Sequence, residues 1–122
     1  MSSGRTSRAW VEVDLTAVAE NARTAARVAG ARLLPVVKAN AYGVGAVAVS
    51  KALEALDPWG YGVATVDEGT ELRAAGIARP VVVFMPVQPT LFDQFDRFQL
   101  TPVLGDADAI VQWTARGQRA FH

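Results

Sequence analysis

Leu33-Leu34-Pro35-Val36-Val37-Lys38-Ala39-Asn40-Ala41-Tyr42-Gly43-Val44-Gly45 is an apolar run that ends on a lysine and passes at once into a loop of small residues. Leu33 to Lys38 is compact and apolar, which suits a strand buried on both faces. Beyond the loop, Val47, Ala48, Ala52, Leu53 and Leu56 recur at helical spacing until Asp57-Pro58 closes the segment. Strand, loop and helix in that order make a βα unit, and the lysine stands where the strand gives way to the loop. The chain has two lysines, Lys38 and Lys51, against ten arginines, so a lysine at the end of a buried strand needs its own reason. Arginine keeps its proton, whereas lysine loses it where the surroundings disfavour an ammonium. A strand-end lysine is therefore suited to a Schiff base with an aldehyde cofactor. The plainer account is a residue whose stem lies on apolar neighbours while its amine reaches solvent.

Working outward, the same pattern recurs. Trp10 to Val13 alternates and predicts a short strand. Asp14 then predicts an N-cap for a helix carrying Leu15, Val18, Ala22, Ala25 and Ala29 on one face and stopping at Gly30. Tyr61 to Thr65 is the next expected strand, followed by a helix from Asp67 to Ala75 that ends at Gly76. Pro80 to Met85 follows as a buried strand, with Thr90 as a cap for a helix through Phe98. Leu100 to Val103 predicts another strand, Asp106 or Asp108 caps a helix ending before Gly117, and Arg119 to His122 begins a further strand. Strands alternating with helices at intervals of about 20 residues indicate parallel βαβ units and, with loops this tight, part of a (β/α)8 TIM-type barrel. The expected extent is about four βα units plus the start of a fifth strand, roughly half a barrel. An open doubly wound sheet is the competing arrangement, and Gly43-Val44-Gly45 supplies only two glycines of its phosphate-loop pattern.

Composition narrows the function classes. Half of the 122 residues are hydrophobic, so the chain has the means to build one core, and residues 1–8, polar and small, read as a disordered tail ahead of a unit spanning 9–122. Twelve acidic residues balance twelve basic ones, which gives no electrostatic footprint for nucleic acid or an anionic membrane. There is no cysteine and a single histidine, His122, so neither a disulfide framework nor a thiolate or histidine metal site is expected. No apolar run has the length of a membrane span, and no signal peptide is evident, which predicts a cytoplasmic protein.

Val36-Val37-Lys38-Ala39-Asn40-Ala41-Tyr42-Gly43 closely resembles the cofactor-lysine signature of bacterial alanine racemases, fold-type III enzymes that depend on pyridoxal 5′-phosphate. Trp10 to Leu15 resembles the opening of that family, and Val63 to Gly76, with Asp67-Glu68 and Glu71 to Gly76, resembles its second βα unit. The likeness runs from about Ala9 to His122 and covers the first third of a full-length member. One departure is Val44, where the family commonly has a histidine.

The resemblance implies that Lys38 binds the cofactor aldehyde and, once substrate takes that aldehyde over, acts as the base serving the D-enantiomer. It implies that Tyr42 donates its hydroxyl to the cofactor phosphate and that Phe84 lies against the pyridine ring. As residues alone, Tyr42 is also an ordinary loop aromatic and Phe84 also a core residue. The expected reaction is interconversion of L- and D-alanine, supplying D-alanine for the cell wall, in a homodimer. The family's second base is a tyrosine contributed by the partner subunit, and its remaining phosphate contacts lie beyond this stretch. The alternatives are a fold-type III protein that binds pyridoxal phosphate without racemising, and an inactive fragment of a truncated gene. Substrate choice among small amino acids is set downstream.

Overall fold

The computed structural model describes residues 9–122, so the expected tail at 1–8 lies outside the described residues. Helix α1, Leu15–Ala29, begins and ends where local chemistry dictates. The Asp14 carboxylate accepts from the Ala17 N–H, and Gly30 takes the left-handed conformation that terminates the helix. Leu15, Val18 and Ala22 pack against the core, whereas Ala25 and Ala29 are exposed. Helix α2, Ala46–Leu53, runs into a 3-10 turn at Glu54–Leu56. Strand β1, Tyr61–Val63, leads through the cap Thr65 into helix α3, Val66–Ala74. Strand β2, Val81–Val83, is followed by a 3-10 turn at Pro89–Leu91 and helix α4, Phe92–Phe98. Strand β3, Thr101–Pro102, precedes helix α5, Ala107–Thr114, which Asp106 caps through the Ala109 N–H.

The strands form a parallel sheet in the order β1-β2-β3, with Gly62 opposite Val82 and Val82 opposite Thr101. The segment at 33–38 lies beside β1 as expected but makes only an isolated parallel bridge, Val36 to Gly62. Val37 N–H donates to the Gly62 carbonyl and Gly62 N–H to the Pro35 carbonyl, both at 2.8 Å. Pro35 has no N–H to extend that ladder, which accounts for the single bridge. At the other edge, His122 N–H donates to the Pro102 carbonyl and Leu104 N–H to the His122 carbonyl, so the chain's last residue pairs beside β3.

Two expectations are corrected. Trp10 to Val13 is not a strand: Trp10 and Val11 are exposed, and alternation alone does not make a strand where no neighbour offers a ladder. Thr90 is not a cap, because Pro89 starts a 3-10 turn that carries Thr90 inside it, and α4 begins without a side-chain cap. Val37 and Val63 face the helices and belong to the core beneath them.

That core fills the layer between the sheet and the helices. Tyr61, Leu72, Phe95 and Leu100 are fully buried, and Trp113 stacks edge-on against Phe92 and Phe95. Gly69 permits close approach of α3, since a Cβ there would come within 2.9 Å of Leu100 Cδ2. The opposite face is covered less: Val82 is buried there, whereas Val36 and Phe84 are more than a third exposed. Trp59, just before β1, meets His122 edge-on with ring centroids 6.0 Å apart.

Polar ties concentrate at the amino-terminal ends of the strands. Arg79 holds both Glu54 oxygens, Asp57 and the Pro58 carbonyl ahead of β1. Arg73 donates to the carbonyls of Ile77, Arg79, Phe98 and Gln99, the ends of α3 and α4. This rim is built for stability, which leaves the carboxyl-terminal rim for chemistry.

Candidate active site around Lys38

Lys38 sits at the carboxyl end of the edge segment beside β1, the position at which barrel folds place their reacting groups. The backbone does something unusual immediately after it. Ala39, Asn40, Ala41 and Tyr42 have φ of 50°, 55°, 53° and 57°, a full turn of left-handed helix made without a glycine. L-residues disfavour this conformation by about 1–2 kcal/mol each, so four in succession store about 4–8 kcal/mol. Strain of this kind persists only where neighbours over-determine it.

The neighbours are identifiable. Within the turn, Ala41 N–H donates to the Val37 carbonyl and Gly43 N–H to the Ala39 carbonyl, at 2.9 and 3.1 Å. Ala41 is buried in the core. The Asn40 carbonyl accepts from Gly45 at 2.8 Å, while its side-chain oxygen accepts from Ala46 N–H at 2.9 Å and so satisfies the start of α2. Gly43, with φ 87°, closes the turn in a conformation for which glycine is suited. From outside the turn, the Glu68 carboxylate accepts from Ala39 N–H at 2.6 Å.

The candidate residues fall as follows. The Lys38 amine lies 5.8 Å from the centroid of the Tyr42 ring, and both side chains are exposed. Among the described residues Lys38 takes part in no ion pair. Phe84 continues β2, its N–H bonded to the Val63 carbonyl at 2.8 Å. Its ring crosses β1 on the open face, over Gly62 and toward Val36, so that a Cβ on Gly62 would come within 2.4 Å of it. Phe84 therefore lies outside the core, 38% exposed, as a wall beside the strand end that carries Lys38. Lys51 is exposed on α2, away from that end.

Two contributors were missed in the sequence. Glu68 was announced by Thr65-Val66-Asp67-Glu68, a Thr-x-x-Glu capping box, and the structure forms that box. Gly62 had no signal beyond being a glycine within a strand. A separate cavity of about 290 Å³ lies at the carboxyl ends of β1 and β2, lined by residues including Thr65, Asp67, Met85 and Gln94; Lys38, Tyr42 and Phe84 are not part of its lining. Among the described residues there is no cluster of side chains fit to hold a metal ion, and no helix is long and apolar enough to cross a membrane.

A strand-end amine free of ion pairs, a phenol beside it and a flat aromatic wall one strand over form a set that fits a planar aldehyde carrying a phosphate. The sequence model of the family described as "Alanine racemase, N-terminal domain" matches residues 13–121. The alanine racemase of Carboxydothermus hydrogenoformans is 40% identical over 111 residues, covering 90% of this chain and 30% of that protein. The alanine racemase of Symbiobacterium thermophilum is 51% identical over 82 residues, 66% of this chain and 22% of that protein. Among solved structures, alanine racemase from E. faecalis superposes with a TM-score of 0.80 at 27% identity, over 89% of this chain and 31% of that one. The Bartonella henselae alanine racemase, described with covalently bound pyridoxal phosphate, gives 0.78 at 27% identity over 85% of this chain and 30% of that one. The chain thus spans under a third of the length of these relatives.

Proposed function

The chain belongs to the alanine racemase N-terminal domain family, and from that premise we propose that it carries the cofactor-lysine portion of a racemase that interconverts L-alanine and D-alanine. Its architecture is the first part of a (β/α)8 barrel, four βα units and the start of a fifth strand. Pyridoxal 5′-phosphate, when bound, supplies an electron sink for the carbanion left by a departing α-proton. Lys38 anchors the aldehyde. As a free amine beside the substrate's α-carbon, Lys38 would carry a proton to or from it on the D-side. A positioned base of this kind contributes about 10²–10⁴-fold. Tyr42 would hold the phosphate through its hydroxyl, and Phe84 would lie against the ring and exclude water there. The whole protein acts as a cytoplasmic homodimer whose partner subunit contributes the second base, and its D-alanine supplies the cell wall.

The observation that carries this reading is the setting of Lys38, at a parallel strand's carboxyl end and at the head of a strained turn, with no ion pair among the described residues. The test is to incubate the protein with pyridoxal phosphate, reduce with borohydride and map the modified peptide. The label is expected on Lys38. In the full-length protein Lys38→Ala abolishes label and racemisation together, because one substitution removes anchor and base. Lys38→Arg fails nearly as badly, since a guanidinium stays protonated at neutral pH. Lys51→Ala changes neither. A label on Lys51, or on no lysine, ends the proposal. The 122 residues alone are expected to label reversibly and not to turn over alanine, and measurable racemisation by them would contradict the assignment of the second base elsewhere.

A further inference from the structure

Glu68 divides its carboxylate between two elements that are far apart in sequence. Oε1 accepts from the backbone N–H groups of Ala64 and Thr65, both at 3.1 Å, and from the Thr65 hydroxyl at 3.3 Å. Those contacts, with Glu68 N–H donating to the Thr65 hydroxyl at 3.2 Å, complete the capping box of α3. Oε2 has a different partner, the Ala39 N–H at 2.6 Å. Ala39 follows Lys38 directly and is the first of the four left-handed residues. A capping box needs nothing from residue 39, so the second oxygen serves another purpose.

We infer that Glu68 is the positioning residue for Lys38, holding the amide that follows the lysine and fixing the strained turn, and with it the lysine, against the end of β1. This rests on the proposed role of Lys38. The chemistry singles out a carboxylate. Three backbone N–H groups from two segments converge on Glu68, and only an ionised carboxylate accepts with both oxygens. In Glu68→Gln the amide keeps the size but offers one acceptor, and its NH₂ faces a donor. It must release either Ala39 or the Ala64–Thr65 pair. Thr65→Ala separates the two roles: it removes the hydroxyl half of the capping box and leaves the Glu68 contact with Ala39 in place.

The experiment compares wild-type protein, Glu68→Gln, Glu68→Ala and Thr65→Ala by two readouts. One is the pyridoxal phosphate concentration that half-labels Lys38 after borohydride reduction. The other is amide hydrogen exchange of the segment 39–45. Both Glu68 variants are expected to raise the half-labelling concentration about tenfold or more, as loss of a hydrogen bond to a charged group does, and to speed exchange in 39–45 correspondingly. Thr65→Ala lowers the melting temperature yet keeps both readouts within about twofold of wild type. Unchanged exchange and labelling in the Glu68 variants would overturn the inference, as would equal losses in Thr65→Ala. If wild type itself fails to label Lys38, the proposed function fails, and exchange in 39–45 alone decides whether Glu68 holds the turn.

Discussion

At the scale of single residues, Gly62 governs Phe84. An alanine Cβ at 62 would stand 2.4 and 2.6 Å from two ring carbons of Phe84, a ring tethered through its own backbone bond to Val63. Gly62→Ala is therefore expected to cost about 1–3 kcal/mol, the usual cost of overpacking, and to weaken pyridoxal phosphate labelling by moving the wall. Adding Phe84→Ala removes the clash, so the double variant should be more stable than the sum of the two singles predicts, as urea titration of all three measures. Ser50 gives the opposite case. Its hydroxyl is buried in α2 and has no hydrogen-bond partner among the described residues, while its carbonyl accepts from the Tyr61 hydroxyl at 2.8 Å. Ser50→Ala keeps that carbonyl, removes an unpaired buried group and improves helix propensity. A gain of about 1 kcal/mol in urea unfolding is the expected outcome.

At the scale of elements, what was legible in the sequence is what local chemistry decides. Asp14, Gly30 and Asp106 were readable because a cap is made within three or four residues, and Asp14→Ala should cost about 1 kcal/mol in the same titration. Lys38 stood out because lysine is rare in this chain and ends an apolar run. The left-handed turn was not legible. Of Ala-Asn-Ala-Tyr only Asn40 takes positive φ readily, and what holds the other three there includes a carboxylate 29 residues further on. The strand at 33–38 was readable in place but not in regularity, since Pro35 breaks its ladder. The turn makes its own prediction. In a right-handed helix an exposed Ala→Gly costs about 1 kcal/mol. Ala39 is exposed with φ 50°, so Ala39→Gly relieves strain and should be neutral or stabilising by up to about 1 kcal/mol. A loss as large as the one expected for Ala25→Gly, an exposed position of α1, would contradict a left-handed turn.

At the scale of the whole molecule, the amino-terminal rim and the open face respond to different conditions. Asp57, hydrogen-bonded by Arg79, and Asp96, hydrogen-bonded by Arg116, have their carboxyl pKa values held below the ordinary 3.8. A carboxyl depressed in the folded state contributes stability that is complete above its unfolded value and is lost as pH falls through the folded one. Stability to urea should therefore be level from neutral pH down to about pH 5 and decline below about pH 4, with Arg116→Gln flattening part of that decline. The open face responds to concentration instead. Along it Val36, Trp59, Phe84 and Phe121 stay more than a third exposed, and the edge beside β3 ends at His122. Apolar surface next to an unpaired strand edge favours association. The 122 residues expressed alone should thus form oligomers or aggregates whose size grows with protein concentration in light scattering. Val36→Lys adds charge at the sheet's first edge without touching the helix-side core, and should shift that growth to higher concentration. A monomer at every concentration, melting in one sharp transition, would mean that the inner face is not the adhesive surface its residues make it.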